Sequence, residues 1–248
     1  DSYFNSSREG VVLQRAIWDG LIYADPETGE YKGNLATSWE WIDDTTLELK
    51  LREGVTFHNG EEFDADDVVY TVNYVADEKN GVKTQRNVNW MKSAEKVDKY
   101  TVRIMLKAPF PAAIEYLAGP VSIYPNEYYA EAGPSGMGLK PVGTGPYKVV
   151  AFEPGVRAMV SKFEDHWDAD NRGYFAEVEQ IYIGDASARV NAIMTSQVDA
   201  INRVDFKSVK LLDAYINIDI LEVTGNMHNT FPMLVGNAPY NDVNVRRA

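Results

Sequence analysis

The chain of 248 residues carries 24 Lys and Arg against 37 Asp and Glu, a net charge of −13. So acidic a surface repels phosphate backbones and anionic headgroups, which argues against nucleic-acid partners. No apolar run approaches the ~20 residues that span a bilayer, which argues against direct membrane insertion. The absence of cysteine removes disulfides, thiolate nucleophiles, Fe–S clusters and Cys-type zinc sites together. Imidazole is scarce as well, with only His58, His166 and His228. Aromatic content is the positive signal. Fifteen Tyr and five Trp offer flat apolar faces with polar tips, suited to gripping organic ligands, although core packing accounts for most of them.

In chain order, Ser6 or Ser7 caps a predicted helix over Arg8–Asp19, with Leu13, Ala16 and Ile17 on one face and Gly20 ending it. Asp25–Gly29 is turn chemistry. Trp39–Trp41 and Leu47–Leu51 alternate with period two on either side of Asp43-Asp44, which predicts a half-buried antiparallel hairpin. Phe57–Gly60 turns the chain again. Asp64 stands at an N-cap position with Asp67 three residues on. Phe63 and Val68 have the spacing of a hydrophobic staple, and Val68, Val72 and Val75 form the buried stripe of the helix that follows. Capping accounts for this acidic cluster better than metal binding does.

A second hairpin is predicted over Val97–Leu106, turning at Asp98-Lys99, and Pro109 and Pro111 lead into a short helix ending at Leu117. Residues 133–146 are rich in Gly and Pro, which marks a crossing between subdomains. They are not a phosphate loop, because no Lys-Ser/Thr follows and Pro146 leads into a strand. Tyr147–Phe152 and Val156–Lys162 read as a hairpin around Glu153-Pro154-Gly155. Ile181–Ile183 reads as a strand, Asp185 as the cap of a helix bearing Val190, Ile193 and Met194, and Val198–Ile201 as a strand after it. That β-α-β order predicts some parallel pairing. Alternating Ile216, Ile218 and Ile220 predict one more strand.

Several segments, in this order, resemble the family 5 extracellular solute-binding proteins of ATP-binding-cassette importers, the peptide/nickel/opine-binding group. They are Arg15–Leu21, Leu35–Glu40, Leu49–Gly60, Phe63–Tyr70, Pro141–Tyr147, Ser196–Asp199 and Pro239–Ala248. One such fragment carries little weight; seven in register span almost the whole chain. The chain departs from the family pattern in being about half the family's length, in lacking the usual first strand before residue 1, and in carrying Ser196-Gln197 where Gly-Glu is usual. This last position ends a helix and affects capping. The N-terminus shows no charged and apolar leader, so any export signal is expected to have been removed already.

The resemblance implies an α/β fold: a periplasmic-binding-protein-like lobe (type II, cluster C) with a mixed β-sheet and an inserted α+β subdomain. Residues 1–21 and 142–235 would form the core of this first lobe, 22–141 the insertion, and 236–248 the start of a second lobe. It further implies a monomer outside the cytoplasmic membrane, periplasmic or extracellular. Such a protein closes two lobes on a short peptide or related small organic solute and delivers it to the membrane permease of an importer. Neither catalysis nor a bound cofactor or metal is implied. By family analogy three segments face the ligand: Phe4, Asn5 and Ser6; Asn87, Asn89 and Trp90; and Asn226 and His228. Amides donate and accept at once, and Trp90 offers a stacking face. His228 has no partner at helical spacing, which argues against a nickel or haem ligand. The other readings are a ligand-binding protein for a chemosensory receptor, and a carboxylate-dependent glycoside hydrolase using a pair such as Asp66/Asp67, Asp43/Asp44 or Glu164/Asp165.

Overall fold

The computed structural model describes residues 1–5, 8–170, 172–222 and 236–247. The chain divides into two compact units, residues 1–182 and 183–248. The first unit opens with helix α1 (Arg8–Ile17), which ends sooner than expected and whose caps, Ser6 and Ser7, lie outside the described residues. A two-stranded ribbon follows, β1 (Ile22–Ala24) with β2 (Tyr31–Gly33). Next comes a four-stranded antiparallel sheet in the order β3-β4-β6-β5, made of β3 (Ala36–Asp43), β4 (Thr46–Leu51), β5 (Met91–Asp98) and β6 (Thr101–Leu106).

Its first hairpin forms in the register that alternation predicts, with Trp39 opposite Leu49 and Trp41 opposite Leu47. Leu47 and Leu49 from β4, with Val102 and Ile104 from β6, are wholly buried. On the opposite face of the sheet Arg103 Nε donates to Glu48 Oε2 at 2.9 Å across the strands. The second hairpin starts earlier than the apolar pattern suggested, at Met91 rather than Val97, because the charged residues of β5 lie on an outer edge where they stay solvated.

Helix α2 (Ala65–Ala76) packs against β5 and β6. Its capping box is present: Asp66 N–H donates to Asp64 Oδ1 at 2.7 Å and Asp64 N–H to Asp67 Oδ2 at 2.9 Å. Phe63 and Val68 are both buried, as a staple requires. Burial of Val68, Val72 and Val75 contributes about 1.5–3 kcal/mol each against ~1 kcal/mol for a cap. The cap therefore sets where the helix begins, and the stripe sets where it lies.

After the single turn α3 (Gln85–Val88) and the short α4 (Ala113–Leu117) comes α5 (Asn126–Leu139). The Gly/Pro-rich stretch expected as a crossing is helical over most of its first half. Gly133, at φ 62°, breaks α5, and Pro134 restarts it with φ already in the helical range. The crossing itself is short. Residues 142–145 run directly under the end of α1, where a Cβ on Gly143 would meet Ile17 O at 2.1 Å and one on Gly145 would meet Ala16 O at 2.6 Å. Glycine is needed there for close approach.

The first unit ends in a three-stranded antiparallel sheet, β7 (Tyr147–Glu153), β8 (Arg157–Lys162) and β9 (Glu177–Ile181), in that order. Strand β9 lies upstream of the predicted Ile181–Ile183. Hydrogen bonding to β8, ending at Arg157 opposite Ile181, sets the register here and not the apolar triplet.

The second unit carries α6 (Ala186–Met194), α7 (Phe206–Leu212) and α8 (Val243–Arg247). Asp185 caps α6 through Ala188 N–H at 2.7 Å. All ladders among the described residues are antiparallel, so the parallel pairing expected from Val198–Ile201 does not occur. Neither that segment nor Ile216–Ile220 forms a strand, and Ile216 is fully exposed. Alternation measures fitness for a half-buried pleat, and without a paired neighbour the pleat does not form.

Helix α6 closes in a Schellman motif: Gln197 N–H bonds Ala192 O at 2.9 Å and Ser196 N–H bonds Ile193 O at 3.1 Å. Ser196 sits at φ 55°, in the left-handed region. The departure from the family pattern at this position is thus a strained cap. Ser196→Gly is expected to raise the stability of the chain by about 1 kcal/mol, read as a shift of the urea midpoint at unchanged slope.

Candidate functional site

The N-terminal segment is held by buried aromatic residues far away in sequence. Tyr3 Oη donates to Ser122 O at 2.6 Å, Ser2 N–H donates to Tyr124 Oη at 2.7 Å, and the Asp1 carboxylate accepts from Tyr124 Oη (2.9 Å) and Tyr129 Oη (2.8 Å). Burial pushes the hydroxyls of Tyr3 and Tyr124 well above the ordinary tyrosine range, so both stay protonated as donors. The Tyr3 and Tyr124 rings meet edge to face at 5.2 Å, and Trp18 lies 5.6 Å from Tyr124.

This anchoring brings two of the three predicted ligand-facing segments together. Tyr3 O accepts the N–H groups of Lys83 (3.1 Å) and Thr84 (3.4 Å), the residues that lead into α3. Phe4 and Asn5, both half-buried, continue from that junction. Asn87 and Asn89 lie on the turn that α3 makes, where Asn87 N–H bonds Thr84 O and Asn89 N–H bonds Gln85 O, both at 2.8 Å. Asn87 is half-buried and Asn89 exposed. Among the described residues neither side chain makes a hydrogen bond. Ser6, Asn226 and His228 lie outside the described residues.

Trp90 plays a different part from the open stacking face expected of it. It is only 6% exposed, Phe110 stacks on its ring at 5.2 Å and 21°, and Tyr116 meets it edge-on at 6.4 Å. Its indole N–H donates to Asn87 O at 2.9 Å. The indole is thus a pedestal that fixes the amide-bearing turn. Tyr3, Thr84, Phe110, Tyr116 and Tyr124 support this region, which no local sequence pattern predicts. Aromatic abundance was visible in the sequence, but pairing across more than a hundred residues was not.

The remaining chemistry-bearing residues are engaged structurally. His58 Nε2–H donates to Gly145 O at 2.8 Å and its Nδ1 accepts Gly143 N–H at 3.3 Å, so the ring clamps the crossing. Asp19 Oδ2 accepts from Thr144 Oγ1 (3.0 Å) and Trp167 Nε1 (3.1 Å), and Arg52 lies over the Trp167 ring at 4.3 Å. Of the carboxylate pairs weighed for hydrolysis, Asp67 is buried in the capping box and Asp66 pairs with Lys96 at 2.7 Å. Asp43 accepts from Thr45 within its turn, which holds its carboxyl below the usual range. Glu164 and Asp165 are exposed. Among the described residues no three His, Asp or Glu are grouped to hold a metal ion, and no helix is long and apolar enough to cross a membrane.

Antiparallel sheets combined with helices in this way are the architecture of the type II periplasmic binding proteins. Residues 30–248 match the family model described as bacterial extracellular solute-binding proteins, family 5, middle region, and the chain belongs to this family. Among curated relatives it is 27% identical over 252 residues to the glutathione-binding protein GsiB of Escherichia coli K12, covering all of this chain and 48% of that protein. The structure of NikZ from Campylobacter jejuni in complex with Ni(L-His) superposes with a TM-score of 0.85 at 25% identity, covering 100% of this chain and 49% of the other. AgaA of A. tumefaciens R10, solved with agropinic acid, gives a TM-score of 0.79 at 27% identity over 87% of this chain and 44% of that one. The chain spans about half the length of the curated relatives it matches.

Proposed function

We propose that this chain is the first lobe of a substrate-binding component of an ATP-binding-cassette importer. In this reading residues 1–21 and 142–235 are the lobe's core, 22–141 its insertion and 236–248 the start of a second lobe. The ligand is a short peptide or related amino-acid conjugate. It is captured outside the cytoplasmic membrane by closure of two lobes and passed to the membrane permease by a monomeric protein that makes and breaks no bond. Ligand bridging both lobes binds the closed state better and shifts the population towards it.

The observation that carries the assignment is the α3 turn. Two amides with no hydrogen-bond partner among the described residues stand on a turn joined to the N-terminal segment, and Trp90 holds that turn through Asn87 O. Such amides pair with the alternating N–H and C=O groups of a peptide without requiring a fixed charge. Glutathione, the ligand in GsiB's name, is a natural probe beside unrelated di- and tripeptides.

Mass spectrometry under native conditions of the full-length protein, purified from its own host, is expected to release peptides. Release of an opine, a sugar or a metal complex instead would redirect the assignment. Replacing Asn87 and Asn89 together by Ala in that protein is expected to weaken peptide binding by about tenfold with little change in thermal midpoint. Calorimetry on the present chain alone is expected to show no affinity in the micromolar range or tighter, because the opposing lobe contributes the rest of the contacts.

A further inference from the structure

Among the described residues strand β7 is an edge strand, hydrogen-bonded to β8 alone. A groove of about 350 Å³ is lined by residues 148–152 of β7 and by Leu139–Val142 at the end of α5. Leu139 (60% exposed), Val150 (51%) and Phe152 (38%) turn apolar surface towards solvent beside it. His58 and Asn59 close one end, but their polar atoms are occupied, His58 by Gly143 and Gly145 and Asn59 by Glu61. Two cations remain, Lys140 and Lys148, both exposed and both lining the groove.

In a chain with a net charge of −13, lysines tend to find carboxylates. Among the described residues neither of these two does. The carboxylate nearest to Lys148 in sequence, Glu153, is bound to Arg157 at 2.7 Å, and the Lys148 ammonium lies 5.9 Å from the Phe163 ring. The groove therefore combines apolar side chains with two lysines that pair with no carboxylate among the described residues, while Glu61 stands behind Asn59 at its end. Its volume lies in the range that holds a small organic molecule.

A partner strand is a poor occupant. The register shift between Val149 and Ala151 bends the edge, and lysine on an edge opposes strand addition. A short amphipathic anion needs no continuous ladder and meets both features of the groove. We propose that the groove between β7 and the Leu139–Val142 segment binds a small amphipathic carboxylate, its chain on Leu139, Pro141, Val150 and Phe152 and its head at Lys140 and Lys148. This site is separate from the α3 turn and does not depend on the importer assignment.

The probe is octanoate, titrated into the present chain at low salt and followed by calorimetry, with octylamine as the cationic counterpart. Saturable binding of octanoate is expected, weakened by at least about tenfold in the double variant Lys140→Gln/Lys148→Gln and by added salt. Octylamine is expected not to bind. Phe152→Ala is expected to weaken octanoate while leaving the unfolding midpoint close to that of the parent chain, and Tyr70→Ala on the outer side of α2 to leave octanoate binding unchanged. Equal binding of octylamine, non-saturable uptake, or full retention in the double lysine variant would overturn the proposal. So would loss of binding in Tyr70→Ala equal to that in Phe152→Ala.

Discussion

Replacing His58 by Ala is expected to lower the stability of the chain by about 3 kcal/mol at neutral pH, because it strands a buried Gly145 carbonyl and a buried Gly143 N–H that no other group among the described residues reaches. The ring also packs edge-on against Phe163 at 4.9 Å. Acid does part of the same damage. The neutral imidazole donates with one nitrogen and accepts with the other, whereas a protonated ring would turn a second N–H towards that of Gly143. Burial accordingly lowers the pKa of His58 to about 4. The folded chain thus binds this proton less readily than the unfolded one, whose His titrates near 6.5. Stability from this group is complete above about pH 6.5 and is lost as pH falls towards 4, by on the order of 3 kcal/mol.

Asp67 is expected to act with the opposite sign in the same window. Its carboxylate joins two helix starts, accepting Asp64 N–H of α2 at 2.9 Å and Asn126 N–H of α5 at 2.8 Å. Burial, aided by the nearby carboxylates of Asp64 and Glu61, outweighs these bonds and raises its pKa to about 7. The folded chain holds this proton more tightly than the unfolded one. The contribution therefore grows as pH falls from 7 towards 4 and is of similar size to that of His58.

Urea unfolding of the parent chain between pH 4.5 and 7 is expected to give a shallow profile. Asp67→Asn is expected to cost about 1–3 kcal/mol at pH 7, since one of the two N–H groups must face an amide NH₂, and to leave stability falling steadily with acid. His58→Gln is expected to leave it rising. Parallel profiles for all three proteins would show that neither group governs this window.

Local rules made the capping box, the staple, the first hairpin and the β7–β8 hairpin readable from sequence, because each depends on residues a few positions apart. The errors share a cause as well. Strand β9, and the missing strands at Val198–Ile201 and Ile216–Ile220, depend on whether a neighbour supplies hydrogen bonds, which apolar alternation does not encode. Gly133 and Pro134 looked like loop chemistry and proved to be the join between two helical segments. At the candidate site only the resemblance, and no local pattern, pointed to Asn87 and Asn89. The reversal of Trp90 from open face to pedestal follows from Phe110, twenty residues on, and no local pattern announces that stacking.

The tethering of Tyr3 to Ser122, and of Asp1 to Tyr129, has a kinetic consequence. Closing a loop of more than a hundred residues is slow compared with forming a helix or a hairpin. During synthesis at about 5–20 residues per second, the segment bearing Phe4 and Asn5 emerges several seconds before its anchors at Ser122 and Tyr129. The beginning of this chain is therefore among the last parts to reach its native place, and half of the proposed ligand wall is completed only when folding is nearly over.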